Sequence, residues 1–215
     1  MSERSPETDH DAFTAEELFK EFFWRWYKPL EREVRGRETL GADVEPLQGS
    51  AASRLPEYVR GNVLRQLDRM VDAARQDQAR FLPPGGDLGL EWLRAFEENY
   101  SVREAQNLVV AVNAEQATND FVVLVCELGA VVGALLNRTE GLEWVPEAPY
   151  WESYLVDRER QLVLRPFVAA LRFMSTSRLY ALGEWLLIAM EPGRRRSLLQ
   201  LDTPASADQA AGDAS

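Results

Sequence analysis

Apolar and polar positions divide the chain into a long stretch of helical period and a shorter stretch of strand period. From Thr14 onward, Leu18, Phe19, Phe22, Phe23, Trp26, Leu30 and Val34 recur at helical spacing on one half of a helix. Thr14 with Glu17 three residues on forms a capping box at its start, and Pro29 predicts a kink. Trp24 falls on the opposite half, among Glu17, Lys20, Glu21 and Lys28. Residues 36–52, with Gly36, Gly41, Pro46 and Gly49, predict a long loop. A second helix is expected from Pro56 to about Phe81, with an apolar stripe of Val59, Val63, Leu67, Met70, Val71, Ala74 and Phe81, ended by Pro83-Pro84-Gly85-Gly86.

Further helices are expected over Leu88–Glu98 and, behind a Ser101/Glu104 capping box, over 102–112. Asn113 with Gln116 predicts the start of another, over 114–137. That last helix is apolar nearly all round and so predicts the buried centre of the fold. Gly129 and Gly133, four residues apart on it, predict close packing by a neighbour. The period then changes to two. Leu142–Val145, Tyr150–Val156 and Gln161–Arg165 read as strands, with a turn at Asp157–Arg160. Pro166 opens a helix carrying Phe167, Val168, Leu171 and Phe173, and a last helix runs from Ser177 to Met190. The expected class is α+β and predominantly helical: N-terminal helices, a central buried helix, a small three-stranded antiparallel sheet, then two C-terminal helices. Residues 13–200 form one domain (13–137 helical, 138–200 sheet plus helices) between disordered tails at 1–12 and 203–215.

Composition narrows the function classes. The net charge of -11, part of it in the tails, disfavours nucleic acid and anionic membrane as partners. The single histidine, His10, lies in the expected tail, which removes the usual triads and histidine-bound metals. The single cysteine, Cys126, sits in an apolar run and reads as core. The run Phe121–Leu136 is broken by Glu127 and is shorter than a membrane span. Pro83-Pro84-Gly85-Gly86 lacks the lysine of a phosphate loop. No cofactor and no metal site is expected, and a cytoplasmic location fits the cysteine usage and the absence of an apolar leader.

Carboxylate chemistry survives these exclusions, and Glu152, within Tyr150-Trp151-Glu152-Ser153-Tyr154, is its candidate because aromatic surroundings raise a carboxyl pKa. A hairpin closing symmetrically on Arg158 and Glu159 would set Glu152 opposite Arg165 as a structural ion pair. Glu127 and the pair Glu97 and Glu98 are weaker candidates: the first is read as capping or pairing in the core, the others as facing water at a helix end. Arg194-Arg195-Arg196 is expected to serve helix carbonyls and nearby acids rather than phosphate. A protein partner would be met by Trp24, Lys20, Lys28, Trp151 and Tyr154, since tryptophan is a common interface anchor.

The order Leu128-Gly129-Ala130, Trp144-Val145, Pro149-Tyr150-Trp151-Glu152-Ser153 and Arg165-Pro166-Phe167, spanning 115–175, resembles small uncharacterised bacterial domains. Some of these are similar to immunity or polymorphic-toxin accessory proteins. The resemblance implies a cytoplasmic, non-enzymatic interaction module, immunity- or adaptor-like, for which a basic partner such as a nucleic-acid-cleaving toxin would suit the acidic surface. Two alternatives stand beside it: a carboxylate-dependent enzyme or small-ligand binder around Glu152, and a structural subunit of a larger assembly.

Overall fold

The computed structural model describes residues 13–26, 39–49, 51–82, 86–175 and 181–201. The expected tails with His10, and Lys28, Pro29, Leu30, Val34, Gly36, Pro83–Gly85 and Ser177, lie outside the described residues. The class is α+β with a helical majority. α1, Ala15–Leu18, starts on the expected Thr14/Glu17 capping box. It then widens into a π-turn over Phe19–Phe23. β1 (Val44–Pro46), α2 (Glu57–Asp77), α3 (Leu90–Asn99) and α4 (Val102–Ala111) follow. Ser101 and Glu104 cap α4 as expected. Next come α5 (Asp120–Glu140), β2 (Glu143–Val145), β3 (Tyr154–Asp157), β4 (Leu162–Leu164), α6 (Pro166–Phe173), α7 (Leu182–Met190) and the short α8 (Leu198–Leu201).

α5 is the axis of the fold, and most side chains from Phe121 to Leu136 are buried. By length and composition it would also suffice to cross a membrane, but most of it lies inside the fold. Its start is six residues later than the Asn113/Gln116 pair predicts. Asn113 instead accepts a hydrogen bond from the Glu115 amide in a turn (2.9 Å), and Asn119 caps the helix through the Val122 amide (3.0 Å). The two α5 glycines do admit close neighbours. A Cβ on Gly129 would lie 2.5 Å from Cδ1 of Phe167, and one on Gly133 would collide with the indole of Trp144. The helix backbone is thus a seat for two rings, one from α6 and one from β2.

The sheet has four antiparallel strands in the order β1-β4-β3-β2, one more than expected. The added strand, β1, arises within the stretch read as a loop and pairs Val44 with Leu164 and Pro46 with Leu162. Three residues ending in proline give little strand signal, and proline is tolerated there because β1 is an edge. The β3–β4 register also differs from the symmetric hairpin: Leu155 pairs Leu164 and Asp157 pairs Leu162. Asp157 causes the difference. It stays in the strand while its carboxylate accepts from the Arg160 amide (3.0 Å), so the reversal centres one residue later.

Asp157 belongs to a buried ionic lock. Arg195, 2 % exposed, donates to Asp157 (2.7 Å), to Glu140 at the end of α5 (2.7 Å) and to the Ala189 carbonyl at the end of α7. This is the expected role for the arginine cluster, and Arg194 adds an exposed bridge to Glu191. Burial alone would raise the Asp157 pKa, but the Arg195 hydrogen bond, the Arg160 amide and the charges of both arginines outweigh it and hold it low. The stability this ionised carboxylate contributes is therefore present above its unfolded pKa of about 3.9 and is lost as pH falls through the lower folded value.

Two stability outcomes follow, both read by urea denaturation. Arg195→Ala strands a buried carboxylate and is expected to cost about 3–5 kcal/mol. Arg195→Met combined with Asp157→Asn should lose less than Arg195→Ala alone; an equal or larger loss would show that the lock is not what holds this corner. Gly133→Ala, forced against Trp144, is expected to destabilise by about 1–3 kcal/mol, whereas the same change at the open, exposed Gly193 should be neutral.

Candidate functional site

The first helix, the 39–41 segment, β1, the turn before β3 and α6 enclose a cavity of about 220 Å³. Its apolar wall is Phe19 and Phe23 from the π-turn, Trp151, and Phe167 and Leu171 from α6; Thr39, Glu45, Glu152 and Arg165 supply the polar groups among the described residues. The π-turn sets the first wall. Its wider turn bonds the Trp24 amide to the Phe19 carbonyl and rotates later side chains relative to an α-helix. Phe23 therefore meets Trp151 edge-on at 5.6 Å, and Trp24 is half-buried against the core instead of standing on the charged face. The 39–41 segment is tied at both sides, by the Leu40 amide to Glu16 (3.1 Å) and by Arg172 to the Gly41 carbonyl (3.3 Å).

Glu45 and Arg165 form the charged end. Arg165 donates to Glu45 at 2.7 Å, and its guanidinium lies 5.2 Å from the centre of the Tyr154 ring. The two side chains keep 38 % and 23 % of their surfaces exposed, so this end of the cavity communicates with solvent. The expected Glu152–Arg165 ladder pair is not formed. With β3 and β4 in their observed register, Arg165 comes across from Tyr154, and Glu152 lies in a 3-10 turn, Tyr150–Glu152, ahead of the strand. Sequence reasoning missed Glu45 because its strand was unreadable. Glu45 and Glu152 both line the cavity.

Comparison of the chain with protein-family models, with curated proteins and with solved structures gives no match.

Of the residues expected to meet a protein partner, Lys20 is exposed and Lys28 lies outside the described residues. Trp24, Trp151 and Tyr154 are half-buried: Trp24 packs on the core, Trp151 lines the cavity, and Tyr154 stacks under Arg165. They do not present one solvent-facing aromatic patch. The weaker carboxylate candidates are far apart in role. Glu98 faces water, but Glu97 accepts the Gly183 amide (2.7 Å) at the start of α7, where the helix dipole favours a carboxylate. Cys126 is buried beside the Tyr150 hydroxyl, and burial pushes its thiol up to about 12, far from a reactive thiolate. Among the described residues no group of three or more His, Cys, Asp or Glu is placed to hold a metal ion.

Glu127 is the most perturbed carboxyl. It is 1 % exposed on α5, and neither oxygen has a hydrogen-bond partner; Asp77 and Gln78, at the end of α2, are the polar side chains facing it. Burial foremost, and then the facing Asp77, raise its pKa from 4.5 to about 8. The fold thus keeps a proton that the unfolded chain releases above about pH 4.3. Stability is fully present below that pH, declines as pH rises, and levels off above the folded value. Replacing Glu127 with glutamine removes this penalty. Between about pH 5 and about pH 8 the stability of Glu127→Gln relative to the native chain should rise by about 1 kcal/mol per pH unit. Denaturation curves at the two ends of the range measure it, and a constant difference would mean that Glu127 is already ionised in the fold.

Proposed function

We propose that this protein binds a small molecule with an apolar, ring-sized body in the cavity between the first helix and α6. The observation that carries the reading is the cavity itself, which has an aromatic wall and an ion pair at one end. Ligand sites of this kind are concave, largely apolar and furnished with a few placed polar groups. A cavity of about 150 Å³ holds a benzene molecule. A volume of about 220 Å³ therefore suits one ring with a short polar substituent. The lining supplies contact and charge, which is what binding requires. It is preferred to a protein-interaction module because the three aromatic residues expected at an interface are turned towards the core, the cavity and Arg165.

Gly41 allows a clean test. It lines the cavity, and a Cβ placed on it meets nothing within 4 Å, so a larger side chain is accommodated at the cavity wall without displacing the core. A set of single-ring fragments screened by ligand-observed NMR should yield binders to the native chain, and Gly41→Phe should abolish them while leaving the unfolding midpoint unchanged. Fragments that bind the variant as well as the native chain, or no binder at all, would sink the proposal.

A further inference from the structure

Building on the ligand-binding reading, we infer that the cavity selects a cationic amine, an ammonium on an apolar ring-sized body, over the matching alcohol or carboxylate. Among the described lining residues the charged groups are Glu45, Glu152 and Arg165. That guanidinium is already compensated, by Glu45 at 2.7 Å and by the face of Tyr154. Glu45 commits one oxygen to this bond, and its second makes no hydrogen bond with any described residue. An incoming ammonium can take that oxygen without disturbing Arg165. An incoming carboxylate would have to draw Arg165 away from Glu45 and leave Glu45 beside a second negative charge.

The apolar wall favours the same sign. Phe19, Phe23, Trp151 and Phe167 make this wall aromatic, and a ring can take a cation on its face, where the quadrupole is negative, but not an anion. The chain as a whole, at -11, raises the local concentration of cations around the mouth. Glu45 is then the specificity-determining residue, and Arg165 is a positioning residue that fixes where its carboxylate points.

The experiment titrates the full chain with 2-phenylethylamine, 2-phenylethanol and 3-phenylpropionate at neutral pH, by NMR or calorimetry. The amine should bind about ten-fold or more tightly than the alcohol, with the carboxylate weakest. Added salt should weaken the amine and leave the alcohol unchanged. Glu45→Gln should bring the amine-to-alcohol ratio towards one, with unchanged alcohol binding serving as the control for folding. Tightest binding by the carboxylate, or equal binding of amine and alcohol by the native chain, would overturn the inference while leaving the cavity a ligand site. Binding of none of the three would remove both.

Discussion

The close seating of two rings on the backbone of α5 fixes the rest of the structure. Where Gly129 and Gly133 omit their side chains, Phe167 and Trp144 lie against the helix itself, so α6 and the sheet approach α5 more closely than ordinary side-chain packing permits. From that seat a chain of ring contacts runs outward: Trp144 to Phe167 (6.3 Å), Phe167 to Tyr150 (6.3 Å), Tyr150 to Trp151 (5.2 Å) and Trp151 to Phe23 (5.6 Å). The cavity lies at the end of this chain because the rings that wall it are positioned, one upon another, from the two glycines. Its aromatic wall is a property of the core, and the 39–41 segment completes it.

The fold treats its buried ionisable groups in two different ways. Arg195 is kept charged, and each of its donor groups is satisfied, by two carboxylates and a backbone carbonyl. That arrangement ties the chain after α7 to the far end of α5 and to the tip of β3. Glu127 is given no such partner and is kept neutral, facing Asp77 across the α2–α5 contact. A buried charge with good partners costs little net free energy, and one without them is tolerated only by losing its charge. Helix ends follow the same rule: Thr14, Ser101 and Asn119 satisfy amides that would otherwise be orphaned, and Glu97 does so for α7 from another helix.

Much of this was legible in the sequence wherever the signal is local. The Thr14/Glu17 and Ser101/Glu104 pairs, the all-round apolarity of α5, its glycine spacing and the service of Arg195 to the Ala189 carbonyl each depend on residues a few positions apart. The features that sequence did not reveal depend on distant partners. The β3–β4 register turns on the Asp157 side chain, which is held by Arg160 in the turn and by Arg195 nearly forty residues on. β1 exists because β4 offers it an edge. Trp24 was misplaced because a helical period was carried through Phe19–Phe23, where the backbone adopts a wider turn. The candidate site was half visible: Trp151, Glu152 and Arg165 stood out by type, but the Glu45 that completes it lies 120 positions from Arg165.

Glu45 carries a second constraint through its place in the sheet. β1 is an outer strand of the sheet, and outer strands recruit others unless they are short, charged, interrupted or covered. This one is three residues long and ends in Pro46, which offers no N–H, and Glu45 is its one charge. The carboxylate that gives the cavity its polarity is therefore also, with the shortness of the strand and Pro46, one of the features that disfavour templating of a neighbour. A neutral residue at this position would remove one of these guards from the sheet edge, independently of what the cavity holds.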